Sequence, residues 1–152
     1  MENISIIKSD SEAGNIISKV LYTGKVHITG GREGAAKSSD ERLNILLSSP
    51  GTTGKGTNPE QLLAAGWSAC FLGAVRLNAS SLKIALPEDL SVDAEVDLAS
   101  GRDGFVLQAR LNVNLPGITE AHARELVEAA HNTCPYSKAT RGNINVAINV
   151  VL

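Results

Sequence analysis

Residues 58–75 decide the fold, and they read Asn-Pro-Glu-Gln-Leu-Leu-Ala-Ala-Gly-Trp-Ser-Ala-Cys-Phe-Leu-Gly-Ala-Val. Asn58 and Pro59 predict a helix start, because asparagine caps free backbone N–H groups and proline suits the first helical position. Gln61 is placed to complete an exchange like that of a capping box. We predict a helix that starts here and runs toward Ser80.

The predicted helix carries very few polar side chains. Between residues 62 and 75 the only one is Ser68, so the helix must be buried nearly all round. Gly66 and Gly73 lie seven residues apart, on nearly the same face, and permit close approach of another backbone. A domain of 152 residues has difficulty covering such a helix alone. We therefore predict that a second chain packs against it.

Period-two alternation of apolar and polar residues predicts several β-strands. The clear examples span residues 89–99, 105–115 and 144–150, with weaker ones at 42–47 and from Asn15 to Ile28. The turn at residues 100–104 joins the first two as a hairpin.

Strands with one polar face favour an antiparallel sheet with helices packed on its other side. The helix described above supplies part of that cover. A second helix is predicted from near Thr119 to near Thr133, just before Pro135. No composition shift or repeat divides the chain. We therefore predict one α+β domain over residues 1–152.

Composition and net charge argue against binding to nucleic acid or to an anionic membrane. The apolar fraction is 43%, the charged fraction is 20% and the net charge is −2, so no basic surface is available for nucleic acid or an anionic membrane. The sequence also lacks an evident signal peptide or a run of about 18 apolar residues. We expect a cytoplasmic protein without nucleic-acid or membrane partners.

Two cysteines are too few for a secreted disulfide framework. Cys70 on its apolar helix is explained equally by packing as a small buried hydrophobe. Cys134 precedes Pro135, where backbone N–H groups at the start of a new turn can stabilise a thiolate. His131 as a base for a hydrolytic cysteine is an alternative. We expect no metal site, because His131 and Cys134 form only one ligand pair.

Two charged residues also have ordinary explanations. Arg32 lies in Thr29-Gly30-Gly31-Arg32-Glu33-Gly34, a string typical of a tight surface turn. Glu60 in the first turn of the helix complements the helix dipole.

Four strings, taken together, resemble the organic hydroperoxide resistance family of the OsmC-like superfamily. They are Thr29-Gly30-Gly31-Arg32, Gly56-Thr57-Asn58-Pro59-Glu60-Gln61-Leu62, Ala69-Cys70-Phe71-Leu72-Gly73-Ala74 and Asn132-Thr133-Cys134-Pro135-Tyr136-Ser137-Lys138-Ala139-Thr140-Arg141-Gly142-Asn143, in the family's order. One departure is Trp67, which stands where tyrosine is common.

The resemblance implies a function for each polar residue of these strings. It implies a cofactor-free thiol peroxidase for organic hydroperoxides, with Cys70 as the peroxidatic nucleophile and Cys134 as the resolving thiol. It assigns Arg32 and Glu60 as the supporting pair. It also implies an OsmC-like fold, with an antiparallel sheet wrapped on two central helices. Further implications are an intertwined homodimer with active sites at the subunit interface, and reduction by dihydrolipoyl groups on lipoylated proteins.

Chemistry gives these assignments a physical reason. A free cysteine is mostly protonated at neutral pH, and burial raises its pKa further, so an ionised Cys70 needs a cation. Arg32 is always charged, and Glu60 can orient its guanidinium and offset its desolvation. Glu60 and Cys70, however, are ten residues apart, or about 15 Å along one straight helix. Either the helix is bent or interrupted near Gly66, or Arg32 and Glu60 reach Cys70 from the partner subunit, which we favour.

Apolar walls are expected to select the substrate. Trp67 and Phe71 lie at i,i+4 on the Cys70 helix, and Leu63 lies near that face. Phe105 and Tyr136 complete the predicted pocket. Plain core packing remains an alternative for each of them. Other functions left open are a less selective osmotically induced peroxidase, an apolar-ligand-binding module with inert cysteines, and a redox sensor.

Overall fold

The computed structural model describes residues 17–152. Its elements, in chain order, are β1 (Val26–Thr29), a 3-10 turn (Gly31–Glu33), β2 (Ala35–Ser38), β3 (Asn44–Leu46), α1 (Pro59–Leu82), β4 (Ser91–Gly101), β5 (Gly104–Asn114), α2 (Glu120–Thr133), α3 (Pro135–Thr140) and β6 (Asn145–Val151). This mixture of helices and two sheets is the predicted α+β class.

Helix α1 begins where the capping residues predict. The Asn58 side chain accepts a hydrogen bond from the Gln61 backbone N–H at 2.9 Å. The Gln61 side chain accepts from the Thr57 hydroxyl at 2.7 Å instead of turning back to the cap. The helix continues without interruption through Gly66 and ends before Lys83, whose φ of 58° is left-handed. The alternative of an interruption near Gly66, which the sequence analysis did not favour, is therefore wrong.

The larger sheet has the order β4-β5-β6. Strands β4 and β5 form the predicted antiparallel hairpin, paired from Ser91↔Asn114 to Gly101↔Gly104. Strand β6, however, runs parallel to β5, so the expectation of a wholly antiparallel sheet is wrong for this pair. The two helices α2 and α3 cross over between these strands and return the chain to the same end, as parallel pairing requires. Period-two alternation reports a polar face but not the direction of the neighbouring strand.

The polar face of the larger sheet is held by side-chain pairs. Arg110 donates two hydrogen bonds to Asp97 across the β4–β5 hairpin, at 2.7 and 2.9 Å. These bonds, with a third from Gln108, lower the pKa of Asp97 to about 2. The alternation that predicted the hairpin thus separates a packed face from a paired, solvated one.

The smaller sheet is formed by β1, β2 and β3, all antiparallel. Its strands are shorter than the sequence predicts: residues 42–47 supply only β3, and the predicted strand from Asn15 to Ile28 supplies only β1. Residues 15 and 16 lie outside the described residues. Strand β2 was missed, because the Ala-Ala-Lys-Ser segment has no alternation. This sheet carries the turn that holds Arg32.

The core lies between α1, α2 and the apolar face of the larger sheet. Its fully buried large side chains include Trp67, Phe71, Val75, Leu111 and Leu126. The opposite side of α1 is not covered by residues 17–152, and Leu77 is 61% exposed there. Helix α1 is also long and apolar enough to cross a membrane by length and composition alone, which is weak evidence for a membrane span. The buried core helix of a soluble protein passes the same test.

Candidate active site

The two cysteines meet where α1 crosses the corner between α2 and α3. The Sγ atoms of Cys70 and Cys134 lie 3.5 Å apart, and both cysteines are free thiols. Cys134 is fully buried, whereas Cys70 is partly exposed. A disulfide requires about 2.05 Å between sulfur atoms, so closing the bond demands only a small approach. The arrangement suits a dithiol that is oxidised and reduced in place.

The corner between α2 and α3 is built around Cys134. This residue ends α2, where its backbone N–H donates to the Ala130 carbonyl at 2.8 Å, and it also precedes α3, with Pro135 at the first helical position. The Tyr136 backbone N–H, one residue further, donates to the Cys70 sulfur. The sequence predicted that N–H groups at this point stabilise a thiolate at Cys134. In the structure the described N–H donor serves Cys70.

Within one chain the surroundings of Cys70 favour the neutral thiol. Burial raises the pKa of Cys70 above its ordinary value, and the hydrogen bond and charge of Cys134 raise it further. The Tyr136 N–H lowers that pKa but does not outweigh burial. No charged side chain of the described residues contributes to this balance. The cation that a thiolate needs is therefore not supplied to Cys70 by residues 17–152 of its own chain.

Arg32 and Glu60 form a two-point ion pair. Their nitrogen–oxygen distances are 2.7 and 3.0 Å, the fork geometry in which guanidinium and carboxylate bind most strongly. Arg32 lies in a turn entered through Gly30 and Gly31, whose positive φ values of 67° and 57° favour glycine. Glu60 lies in the first turn of α1. The structure thus brings together the two residues predicted to act as one unit.

The ion pair is unequally exposed. The Arg32 side chain is 41% exposed, against 11% for Glu60. The hydrogen bonds from Arg32 are the main cause that lowers the pKa of Glu60, and they outweigh its partial burial. Glu60 therefore stays ionised at neutral pH, and it holds one edge of the guanidinium while the rest of that group remains accessible.

A cavity of about 300 Å³ lies beside the ion pair. Its lining residues are mostly apolar: Arg32, Pro59, Glu60, Leu63, Leu98, Phe105, Val106 and Leu107. Phe105 is 85% exposed in the single chain. Two predicted pocket residues, Leu63 and Phe105, thus lie beside the predicted arginine.

The other predicted pocket residues lie near the cysteines. Trp67 and Phe71 are fully buried in the core, the position that plain packing predicts. Tyr136 is 40% exposed and rests on α1 at Gly66, where a Cβ atom would lie 3.0 Å from the Tyr136 hydroxyl oxygen. The predicted site residues therefore form two groups in one chain. The first group surrounds the dithiol, and the second surrounds the ion pair.

The structure does not support His131 as a catalytic base. Its Nε2 accepts a hydrogen bond from Arg141 at 3.2 Å, and burial together with the charge of Arg141 lowers its pKa. The Nε2 lone pair is thereby occupied. Among residues 17–152, no cluster of three or more His, Cys, Asp or Glu side chains is arranged to hold a metal ion.

The sequence analysis missed Ser137. It is a fully buried polar residue of the core, and its hydroxyl oxygen accepts a hydrogen bond from the Trp67 indole N–H at 3.3 Å. Its place one helical turn after Cys134 was visible in the sequence. Its partner was not, because the two residues are 70 positions apart.

Comparison with known proteins agrees with this fold. The family model described as OsmC-like protein matches residues 52–149. An organic hydroperoxide resistance protein of Xanthomonas axonopodis pv. citri is 47% identical over 136 residues, covering 87% of this chain and 96% of the relative. The OhrA protein of Bacillus subtilis, of the same description, is 38% identical, covering 88% and 99%.

Solved structures give the same result. The crystal structure of an organic hydroperoxide resistance protein from Legionella pneumophila superposes with a TM-score of 0.82 at 42% identity, covering 88% of this chain and all of that one. The OhrB structure of Bacillus subtilis also has a TM-score of 0.82, at 40% identity, covering 87% and 100%.

The fold and its paired cysteines thus define an OsmC-like protein. Within that superfamily the chain belongs to the organic hydroperoxide resistance family. The enzyme class predicted from the sequence, a thiol-dependent peroxidase, agrees with this membership.

Proposed function

We propose that the protein reduces organic hydroperoxides to alcohols through Cys70 and Cys134. The observation that carries the proposal is the 3.5 Å separation of the two Sγ atoms, with the Tyr136 N–H directed at Cys70. Partial exposure makes Cys70 the nucleophile, since full burial of Cys134 denies it a first encounter with substrate.

In the first step the Cys70 thiolate attacks the terminal oxygen of the hydroperoxide. A sulfur–oxygen bond forms, the oxygen–oxygen bond breaks, and the alkoxide takes up a proton and leaves as the alcohol. Cys70 is oxidised to a sulfenic acid. The positive charge of Arg32 would stabilise both the thiolate and the departing alkoxide.

In the second step Cys134 closes the disulfide. Its sulfur attacks the sulfenic sulfur of Cys70, the sulfur–oxygen bond breaks, and water leaves with the thiol proton. A dithiol then exchanges with the disulfide, which returns both cysteines to thiols and oxidises the donor to its own disulfide. We propose that this donor dithiol is a dihydrolipoyl group, either free or on a lipoylated protein. The disulfide is an intermediate, so the cycle is compatible with a cytoplasmic location.

The cation for Cys70 is supplied by a second copy of the chain. Three observations support this homodimer. The pKa of Cys70 is raised within one chain. Helix α1 separates Glu60 from Cys70 by ten uninterrupted residues, or about 15 Å. The third observation is the uncovered face of α1, where Ala65, Ala69 and Gly73 recur every four residues and are exposed.

Substrate selectivity follows from the apolar walls beside Arg32. Leu63 and Phe105 line the 300 Å³ cavity and offer contact area to an alkyl or lipid chain. Hydrogen peroxide has no apolar part to bury there. We therefore expect a kcat/KM for cumene hydroperoxide about a hundredfold or more above that for hydrogen peroxide.

An anaerobic assay of peroxide consumption with dihydrolipoamide tests the proposal. Cumene hydroperoxide and hydrogen peroxide are compared at equal concentration, with dithiothreitol and glutathione as alternative reductants. Consumption of cumene hydroperoxide supported by dihydrolipoamide is the expected result. Titration of the thiols before and after one equivalent of peroxide should show two thiols lost per chain. Unchanged thiols would contradict the proposal and would favour an apolar-ligand-binding protein.

A further inference from the structure

Helix α1 meets the α2–α3 corner through contacts that follow one another in register. Gly66 faces Tyr136, Trp67 bonds Ser137, and Cys70 lies against Cys134. Trp67 precedes Cys70 by three residues, and Ser137 follows Cys134 by three. One helical turn therefore separates the Trp67–Ser137 bond from the dithiol along both elements.

The Trp67–Ser137 bond is buried on both sides. Trp67 and Ser137 are each 0% exposed. A buried hydroxyl and a buried indole N–H are costly unless they satisfy each other, so breaking one partner leaves the other unpaired. Two apolar surfaces in the same place could slide past one another. The Trp67–Ser137 hydrogen bond instead favours one position of α3 relative to α1.

A second polar link lies on the other side of the dithiol. The Asn78 side chain donates to the Thr133 hydroxyl at 3.0 Å and also to its own helix at the Ala74 carbonyl. Thr133 is the last residue of α2, immediately before Cys134. The dithiol is thus bracketed, with α2 attached through Thr133 and α3 attached through Ser137.

We propose that Trp67 and Ser137 are a positioning pair for disulfide closure. The inference rests on the proposed function and concerns its second step. Closure requires the Cys134 sulfur to face the sulfenic sulfur of Cys70 along the line of its breaking sulfur–oxygen bond. A second hydroperoxide competes for the same sulfenic acid and oxidises it to the sulfinic acid, which is not recovered by thiols. By holding α3 on α1, the pair keeps the Cys134 sulfur close to Cys70. Disulfide closure is then faster than oxidation of the sulfenic acid by a second hydroperoxide.

The Ser137→Ala variant tests the pair, because it removes one oxygen and leaves the Asn78–Thr133 link in place. Cys70 oxidation and disulfide closure are measured separately, by stopped-flow and by intact mass, at a pH where Cys70 is ionised in every variant. We expect a first step within about twofold of wild type. We expect closure to slow, and the sulfinic fraction under excess cumene hydroperoxide to rise, by about tenfold or more.

Thr140→Val is the matched control. The Thr140 hydroxyl bonds only the Tyr136 and Ser137 carbonyls of its own helix, so its loss perturbs α3 without touching α1. Trp67→Phe removes the other partner of the buried bond, and the double variant should be no worse than the poorer single one. If Ser137→Ala fails to fold, as judged by circular dichroism, Trp67→Phe carries the test.

The outcomes separate the two hypotheses. If the wild type forms no Cys70–Cys134 disulfide with one equivalent of peroxide, the proposed function fails. If the wild type closes normally and Ser137→Ala or Trp67→Phe closes equally fast, only the positioning pair is overturned. Equal slowing of both steps, or equal slowing in Thr140→Val, would also overturn it, since either reflects general loosening of the fold.

Discussion

The surroundings of the dithiol and of the Arg32–Glu60 ion pair differ in what one chain completes. The cysteines lie 3.5 Å apart on packed elements, and the polar groups around them are paired within the chain. The ion pair lies at the start of α1, whereas Cys70 lies near the middle of that helix. An open cavity lies beside the ion pair, and the Arg32 side chain is 41% exposed. One region is ready for disulfide chemistry, and the other offers a cation that does not reach the sulfur of its own chain.

This difference assigns the two regions separate tasks in the proposed reaction. Redox exchange between two sulfurs needs proximity, which helix packing supplies within a protomer. Ionisation of Cys70 needs positive charge at a partly buried sulfur, and no charged side chain among residues 17–152 of its own chain supplies it. We infer that assembly of two chains switches on the nucleophile, while each chain alone already holds its resolving thiol.

The largest expected effect contrasts the two cysteines. Cys70→Ser should lower kcat/KM for cumene hydroperoxide by more than about a thousandfold, because the remaining thiol, Cys134, is fully buried. Cys134→Ser should keep one stoichiometric reduction and then lose activity as Cys70 is over-oxidised. Single-turnover alcohol formation, with intact mass of the protein, measures both. Equal single-turnover rates for the wild type and Cys70→Ser would reverse the assignment of the nucleophile.

A smaller but decisive effect concerns Arg32. Arg32→Ala should reduce the rate of the first step by about a hundredfold to a thousandfold, the usual cost of losing one charge-stabilising donor. If Arg32 serves the partner chain, heterodimers of Arg32→Ala and Cys70→Ser subunits carry one intact site and regain part of the activity. Verified heterodimers without recovery would place Arg32 and Cys70 of one site in the same chain. Arg102→Ala, on the exposed hairpin turn, is the control.

The smallest effect lies in the pH dependence of the ion pair. Arg32 lowers the pKa of Glu60 below its ordinary 4.5, so the pair persists as pH falls through 4.5 and is lost only on passing the lower folded pKa. Glu60→Gln should slow the first step by about tenfold at neutral pH, because the guanidinium loses its orienting carboxylate. Because Cys70 also titrates in the rate, the linkage is read from stability: as pH falls below 4.5, the wild type should lose unfolding free energy that Glu60→Gln does not lose, measured by chemical denaturation. An equal acid loss of unfolding free energy in Glu60→Gln would assign that titration to another group.

Local chemistry made much of the fold predictable. The start of α1 follows from Asn58 and Pro59, and the start of α2 from the Thr119 side chain, which accepts from the His122 backbone N–H. Alternation identified the β4–β5 hairpin and β6. Strand β2 and helix α3 escaped prediction because neither has a periodic pattern long enough to read, and the parallel pairing of β6 depends on the path of the intervening helices.

The candidate site was predictable in its members but not in its arrangement. Four short strings identified Cys70, Cys134, Arg32 and Glu60. Two features are seen only in the tertiary structure. They are the division of these residues into two groups and the donation of the Tyr136 N–H to Cys70 instead of Cys134. These features depend on how the α2–α3 corner sits on α1.

The sequence by itself determined the two long helices, where α1 begins, and which side chains can carry thiol chemistry. Those properties rest on hydrogen bonds and periodicities within a few residues. Only the tertiary structure decided that the Cys134 Sγ lies 3.5 Å from the Cys70 Sγ and that the Trp67 indole N–H donates to Ser137. The partners are 64 and 70 positions apart, so their contact is set by the packing of whole helices, a balance of burial and buried polar pairing that no local pattern encodes.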